Sequence, residues 1–288
     1  MMAIKHKRGT HHRDDSCCVD NLSDSTFNMI REIIYDRSGI TLGENKQALV
    51  RARIAKRMRH LQIPGYSDYI DHVVNDASGG EIQHLVDAIS TNVTSFYREP
   101  SHFDLMRKVI DEWIKSGIKS IRLWSAASST GEEPYTMAIE LLETIYNRRL
   151  DAKILATDIS SRVLEICLRG EYTEDKIAPV PQPLRNKYFT KKKDNAKAIY
   201  SVNDSLRNLV IFRQFNLSSP PFPIRGPLDM IFCRNVMIYF DKKVRTSMVG
   251  EFLRLLKPGG YLMVGHAESI TGLSSEFKCI KPSIYLRE

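Results

Sequence analysis

Four stretches of this chain combine small, polar and charged side chains in patterns that suit chemistry. The first is Ser125-Ala126-Ala127-Ser128-Ser129-Thr130-Gly131, small residues in an unbroken row, followed by Glu132-Glu133-Pro134. Side chains this small let a ligand approach the backbone, and a helix starting there aims its free N–H groups at that ligand. The row is neither a GxGxxG fingerprint nor a P-loop, because no Gly-Lys-Ser/Thr occurs in it. A tight turn with a Thr130–Glu133 capping box would explain the same residues. The second is Asp158, about 25 to 30 positions further on, where doubly wound folds place a carboxylate for ribose hydroxyls. Its competing role is a helix N-cap. The third is Arg234-Asn235, closing the apolar run Leu228–Cys233; polar groups there are costly to bury without a task. A surface loop with Asn235 as a cap is the alternative. The fourth is Asn216-Leu217, just after a β-prone run. Cys233 invites a nucleophile reading, but it sits in an apolar run with no Pro-Cys motif, which points to a buried, inert thiol.

Such residues need elements to hold them. Short apolar runs at Ile121–Trp124, Lys153–Thr157, Leu228–Cys233 and Tyr261–Val264 read as strands. Helical patterns at Phe103–Ile114, Glu132–Tyr146, Arg162–Leu168 and Val244–Leu256 alternate with them. Alternation of this kind predicts an α/β, doubly wound, Rossmann-like sheet with helices on both faces. Ligands then gather at the carboxyl ends of the strands, where three of the four stretches fall. Residues 171–213 break the rhythm with Pro179, Pro181, Pro183, a lysine run and short β-prone pieces, and read as a small inserted β-subdomain. Residues 23–90 are all helical in pattern. Asp24 is placed to cap a helix that Gly39 ends; the next carries Val50, Ile54, Met58 and Leu61 in a stripe; two more follow Pro64-Gly65 and Gly79-Gly80. The expected organisation is a polar tail (1–22), a helical domain (23–90), a linker and connecting helix (91–119) and the sheet domain (120–288).

The 288 residues are 42% hydrophobic and 26% charged, which suits a folded globular chain. No apolar run reaches the roughly 18 residues a membrane helix needs, and the start has no apolar leader, so a cytoplasmic protein is expected. The five cysteines have no metal-like spacing, so neither a disulfide framework nor a metal site is expected. His6, His11 and His12 read as part of a solvated tail. The net charge of +8 favours an acidic partner surface, nucleic acid or a membrane, without choosing among them.

Five motifs occur in order: Thr91-Asn92-Val93-Thr94-Ser95-Phe96-Tyr97-Arg98-Glu99, Trp124 through Tyr135, Thr157-Asp158-Ile159, Phe232 through Asp241, and Leu256-Lys257-Pro258-Gly259-Gly260. Together they resemble the chemotaxis receptor methyltransferases, the CheR family, over about residues 23–287. The resemblance implies transfer of a methyl group from S-adenosylmethionine to glutamate side chains of methyl-accepting chemotaxis receptors. The products would be glutamyl methyl esters and S-adenosylhomocysteine. Carried over by position, it implies cofactor contacts at Asn92, Thr94, Arg98, Glu133, Asp158, Asn216, Leu217, Arg234 and Asn235. Asp158 would meet the ribose, Asn216 and Leu217 would flank the adenine, and Glu133 would face the methionine end. Arg98 and Tyr239 would stand beside the transferring methyl group. The enzyme would act as a monomer in the cytoplasm, recruited to receptor arrays.

The surface also suggests how a substrate is met. Between Glu44 and Asp68 there is no acid, yet Lys46, Arg51, Arg53, Lys56, Arg57 and Arg59 fall there; Lys46, Arg53, Lys56 and Arg57 lie on adjoining positions of a helical wheel, and Arg59 is counted with them as receptor-docking. A basic helix face suits an acidic receptor helix, and the resemblance makes this helix the receptor-facing one; a merely solvated face or nucleic-acid binding would use the same residues. The insertion has its own basic cluster (Lys187, Lys191, Lys192, Lys193, Lys197). It carries Lys191-Lys192-Lys193-Asp194-Asn195 where relatives that dock a receptor tail have a glycine-rich turn, so docking and a solvated loop both stay open. Two other readings compete. A nucleic-acid methyltransferase is favoured by charge alone, since Ser219-Pro220-Pro221-Phe222 lacks the Asn or Asp that grips an exocyclic amine. The other is a cofactor-binding adaptor without catalysis.

Overall fold

The computed structural model describes residues 21–146, 148, 150–194 and 197–288. Most of the expected tail, with His6, His11 and His12, therefore lies outside the described residues. Leu22, assigned above to the tail, is buried in the helical core.

Four helices build the first unit: α1 (Asp24–Ser38), α2 (Gln47–Leu61), α3 (Tyr66–Asn75) and α4 (Gly80–Ile89). A 3-10 turn, Glu44–Lys46, leads into α2, so the regular helix starts three residues later than its sequence pattern suggests. Ser23, not Asp24, caps α1: its hydroxyl accepts the Thr26 amide at 3.1 Å. Gly39 ends α1 in the left-handed conformation, φ 70°. The stripe Val50, Ile54 and Met58 is fully buried against Phe27, Ile30, Tyr69 and Leu85.

The second unit begins with α5 (Pro100–Lys115), then β1 (Ser120–Ser125), α6 (Glu132–Thr144), β2 (Asp151–Asp158) and α7 (Ser161–Arg169). Next come β3 (Glu171–Thr173), α8 (Glu174–Ile177), α9 (Gln182–Tyr188), β4 (Phe189–Asp194), β5 (Lys197–Val202) and α10 (Asp204–Arg207). The chain returns through β6 (Val210–Gln214), β7 (Leu228–Cys233), α11 (Lys242–Leu255), β8 (Leu256–Val264), β9 (Phe277–Lys281) and β10 (Ile284–Arg287). The main sheet has the order β6-β2-β1-β7-β8-β10-β9. Its first five strands are parallel, and β10 and β9 add antiparallel to β8 and to each other. The separate sheet β3-β5-β4 is antiparallel. The insertion is thus shorter than expected. Leu209–Phe212 was assigned to it, but β6 pairs in parallel with β2 as the edge of the main sheet. The last two strands have no counterpart in the sequence reading.

Strand alternation divides two cores. Leu123, Met230, Phe232 and Met263 face one side with Phe103, Ile110, Tyr135 and Ile139. Trp124, Ile231, Cys233, Leu262 and Val264 face the other, with Phe222, Met248 and Phe252. Both sides of β7 are covered, which explains its unbroken apolar run.

The two units meet along a seam. Ile40 bridges to Phe240, the Thr41 amide donates to the Tyr239 carbonyl at 2.8 Å, and the Tyr35 hydroxyl donates to Asp241 at 2.7 Å. Asn216 Nδ2 donates to the Arg37 carbonyl at 2.9 Å, and Gln83 Nε2 to the Ile159 carbonyl at 3.0 Å. Gly39 presses so closely that a Cβ there would lie 2.4 Å from the Ser218 Cβ.

Candidate active site

The chain crosses from one half of the sheet to the other between β1 and β7, and this switch point opens a cleft. The ends of β1, β2, β6 and β7 supply Ala126, Ala127, Asp158, Asn216, Leu217, Arg234 and Asn235. The segment before α5 supplies Asn92, Thr94 and Arg98; Glu133 comes from α6 and Tyr239 from the turn before α11. All ten residues expected at the cofactor and the methyl group therefore line one cleft. Ser38, Ile40, Thr41, Leu42, Lys46 and Leu49 form a wall from the helical unit, which the sequence did not place there.

The turn after β1 is held from several directions. Asp158 accepts the Ser129 amide at 2.8 Å and the Ser160 amide at 3.0 Å. Burial raises its carboxyl, and those amides pull it back only in part. Asp158 is not the cap of α7, because the Ser160 hydroxyl accepts the Val163 amide. Nor is there a Thr130–Glu133 capping box. Gly131 occupies the cap position at φ 97°, and the Thr130 hydroxyl donates to Glu132 at 2.6 Å. Glu133 turns into the cleft, accepting from the Ser125 hydroxyl at 2.7 Å and from Arg234 at 3.0 Å.

Arg234 is the hub. Its side chain is 1% exposed and lies 3.0 Å from both Glu99 and Glu133. It also donates to the Arg98 carbonyl. Two carboxylates share one guanidinium, and they respond differently. Burial pushes Glu133 up, and Arg234 and Ser125 do not fully offset it. Glu99 is less enclosed: burial raises it, but Arg234, the His266 amide and Asn235 outweigh that and hold it below its ordinary value. Asn235 adopts φ 57°; its amide donates to Glu268 at 2.7 Å. Glu268 also collects the Gly265 and Ile238 amides, at 2.6 and 3.3 Å, clamping the loop after β8 to the loop after β7. Asn235 caps no helix, since Val236 precedes the Met237–Tyr239 turn.

Arg98 lies between Tyr97 and Glu99, both at φ 56°. Two left-handed non-glycine residues cost on the order of 1–3 kcal/mol each, so this turn is held by its surroundings. The Arg98 guanidinium donates to the Val93 carbonyl at 2.8 Å, half-exposed on the cleft wall. It does not pair with Glu99, which serves Arg234. Cys233 is fully buried, which drives its thiol well above its ordinary range. Sequence reasoning missed Glu268, gave His102 and His266 no role, and offered Glu99 only as a structural ion-pair partner for Arg98. The run Gly265-His266-Ala267-Glu268 directly after a strand was the available signal.

The basic helix divides. Arg57 makes two hydrogen bonds to Glu81, at 3.0 and 2.6 Å, beside the Tyr69 hydroxyl. Arg53 donates to the Ile89 and Ser90 carbonyls, the latter at 3.2 Å, at the end of α4. These two hold the helical unit together and are spoken for. Lys46, Lys56 and Arg59 are exposed. In the insertion, Lys187 pairs with Glu143 at 2.7 Å, Lys191 with Glu174 at 3.8 Å and Lys192 with Glu171 at 3.6 Å, a balanced charged face. The side chains of Lys193 and Lys197 lie outside the described residues. Among the described residues, no helix is long and apolar enough to cross a membrane.

Two family models match end to end: "CheR methyltransferase, all-alpha domain" over residues 25–90 and "CheR methyltransferase, SAM binding domain" over 92–286. The chain is 38% identical to "Chemotaxis protein methyltransferase 2" of Pseudomonas aeruginosa, across 90% of this chain and 91% of that protein. It is 36% identical to the chemotaxis protein methyltransferase of Borreliella burgdorferi, across 92% and 95%. The Escherichia coli K12 chemotaxis protein methyltransferase is 35% identical across 92% and 91%.

Proposed function

The chain belongs to the CheR methyltransferase family, and from that premise we propose how its cleft delivers a methyl group to a receptor glutamate. It is an S-adenosylmethionine-dependent methyltransferase that modifies chemoreceptors in sensory adaptation. The donor set fits the cofactor. Asp158 offers a carboxylate to vicinal hydroxyls, Ala126 and Ala127 allow close approach, Leu217 and Phe215 offer apolar contact, and Asn216 offers an amide edge. Glu133, with one Arg234 contact, suits a cationic methionine end. Bound there, S-adenosylmethionine supplies a methyl group on a sulfonium, an already activated leaving group.

Little acid–base work is left to the protein. A glutamate side chain, with an ordinary pKa of about 4.3, is already an anion at neutral pH. The remaining task is alignment, which can lower a barrier by as much as about 7–11 kcal/mol. Arg98, held in its left-handed turn, meets the incoming carboxylate through a charge-assisted pair. Because Arg98 is half-exposed, that grip stays weak enough not to favour the reactant over the transition state. Tyr239, which lines the same cleft, limits where the carboxylate can lie. The observation that carries this reading is the convergence of Arg98, Glu133, Asp158, Asn216 and Arg234 on one cleft at the switch point.

Lys46, with Leu49 37% exposed, lines the lip of the cleft, and Lys56 and Arg59 are exposed further along α2. This face suits an acidic, helical receptor segment. The enzyme would work at the cytoplasmic ends of receptors in their arrays, and one chain supplies every wall of the cleft. The test is transfer of radiolabelled methyl from S-adenosylmethionine to receptor-containing membranes, followed by mild base. Label released as volatile methanol supports a carboxyl ester. Label that resists base sinks the glutamate assignment, and cofactor binding without transfer to any receptor favours the adaptor reading.

A further inference from the structure

His102 sits in the first turn of α5 and is 0% exposed. Its Nε2 lies 2.9 Å from the Ser283 hydroxyl oxygen, and that hydroxyl donates its single proton to the Pro282 carbonyl at 2.6 Å. Ser283 therefore accepts at the imidazole, Nε2 carries the ring proton, and Nδ1 is a bare lone pair. Nδ1 is buried and finds no protein hydrogen-bond partner. It faces Glu99 Oε2 at 3.6 Å, acceptor against acceptor. An imidazole in this tautomer presents its bare Nδ1 as a metal ligand. His266 Nε2 approaches the same Glu99 oxygen at 3.9 Å, and the two imidazoles meet edge to face at 5.2 Å.

We propose that Glu99 Oε2, His102 Nδ1 and His266 Nε2 form a site for a divalent transition-metal ion of the zinc class, with water completing its coordination. The three ligand atoms lie within 4.8 Å of one another. Tetrahedral zinc with bonds of about 2.0–2.1 Å holds its ligand atoms roughly 3.3 Å apart. The two Glu99 separations, 3.6 and 3.9 Å, must shorten by about 0.3 and 0.6 Å and the imidazole pair by up to about 1.5 Å, through rotation of His266, 57% exposed, and a small shift of Glu99. Two nitrogens and one carboxylate disfavour magnesium and calcium, which want oxygen ligands. Arg234 touches the same Glu99 oxygen at 3.0 Å. Its charge weakens the site, so micromolar affinity is expected. Metal and guanidinium compete for Glu99, and this couples the ion to the Glu133 end of the cleft.

The test uses the full chain with His6, His11 and His12 changed to Ala and Cys17, Cys18 and Cys279 changed to Ser, removing competing ligands. Zinc is titrated by calorimetry and cobalt by visible absorption, with magnesium as the control. One zinc or cobalt ion per chain is expected, with magnesium silent. In the same background His266→Ala should weaken the ion's binding beyond the roughly 10- to 100-fold of a lost outer-sphere partner. Glu99→Gln should do the same, and an unchanged ellipticity spectrum certifies both folds. Absence of binding, or binding that both variants leave intact, overturns the proposal.

Discussion

Arg57→Ala and Lys56→Ala are neighbouring losses of positive charge with opposite expected consequences. Arg57 holds Glu81 through two hydrogen bonds, and the Glu81 side chain is 5% exposed against 23% for Arg57. Removing one member of a buried pair costs about 3–5 kcal/mol, because the other charge stays buried without compensation. Water reaches part of Arg57, and Glu81 keeps the Tyr69 hydroxyl at 2.9 Å, so the cost falls just below that range, at about 2–3 kcal/mol. For a unit of this size m is about 1 kcal/mol/M in urea, so the midpoint should fall by roughly 2–3 M. Lys56 is exposed, and its loss should cost within about 0.5 kcal/mol. Far-UV ellipticity reports the helices of both units, whereas Trp113 and Trp124, the chain's two tryptophans, report the sheet unit alone by fluorescence, so loss of ellipticity ahead of fluorescence marks the helical unit. Lys56→Ala should instead slow receptor association at low salt. An unchanged ellipticity midpoint for Arg57→Ala, or an equal loss for Lys56→Ala, would refute the division of this helix into structural and docking residues.

Arg98→Ala should lower kcat/KM about 10- to 100-fold, as expected for one charge-assisted hydrogen bond, with little change in cofactor Kd by calorimetry. Asp158→Ala should do the reverse, weakening the cofactor by about 10- to 100-fold, read by the same titration. Gly265→Ala should sharply reduce turnover, because a Cβ there would lie 2.4 Å from Asn235 Nδ2 and 2.8 Å from Glu268 Oε2; wild-type steady-state rates would rule this out. The helical unit should lose stability in acid. Burial raises the Glu81 carboxyl, but Arg57 and Tyr69 outweigh it and hold it below 4.5. A depressed folded value stabilises above the unfolded value and is lost as pH falls through the folded one. Melts between pH 6 and 3 should show that loss, and Glu81→Gln should flatten it.

Much of this was legible because it is local. The short apolar runs marked β1, β2, β7 and β8, and because ligand-bearing loops follow the carboxyl ends of such strands, Asp158, Arg234 and Asn235 could be named from pattern. Partnership was not legible. Nothing in Leu209–Phe212 tells which sheet it joins; β2 decides that from more than fifty residues away. A helical wheel grouped Arg53, Arg57 and Lys56, but Glu81, 24 positions along, claims only Arg57. Glu268 carries no signature by itself, since its role exists only where two loops meet. β9 is a short, largely exposed edge strand and β10, lying between β8 and β9, is only four residues long, so neither carries enough periodicity to be marked.

The seam between the two units also bears on how long the protein survives in the cell. Each unit has its own apolar core, and both contribute walls to the cofactor cleft. A molecule bound there bridges them and resists their separation. At one hundred times its dissociation constant it adds about 2.7 kcal/mol to the bound state. The basic helix proposed to meet receptors belongs to the helical unit, so its resistance to proteolysis should rise and fall with the supply of methyl donor. When that metabolite runs low the enzyme should lose more than turnover, because the molecules without it are the ones most open to degradation.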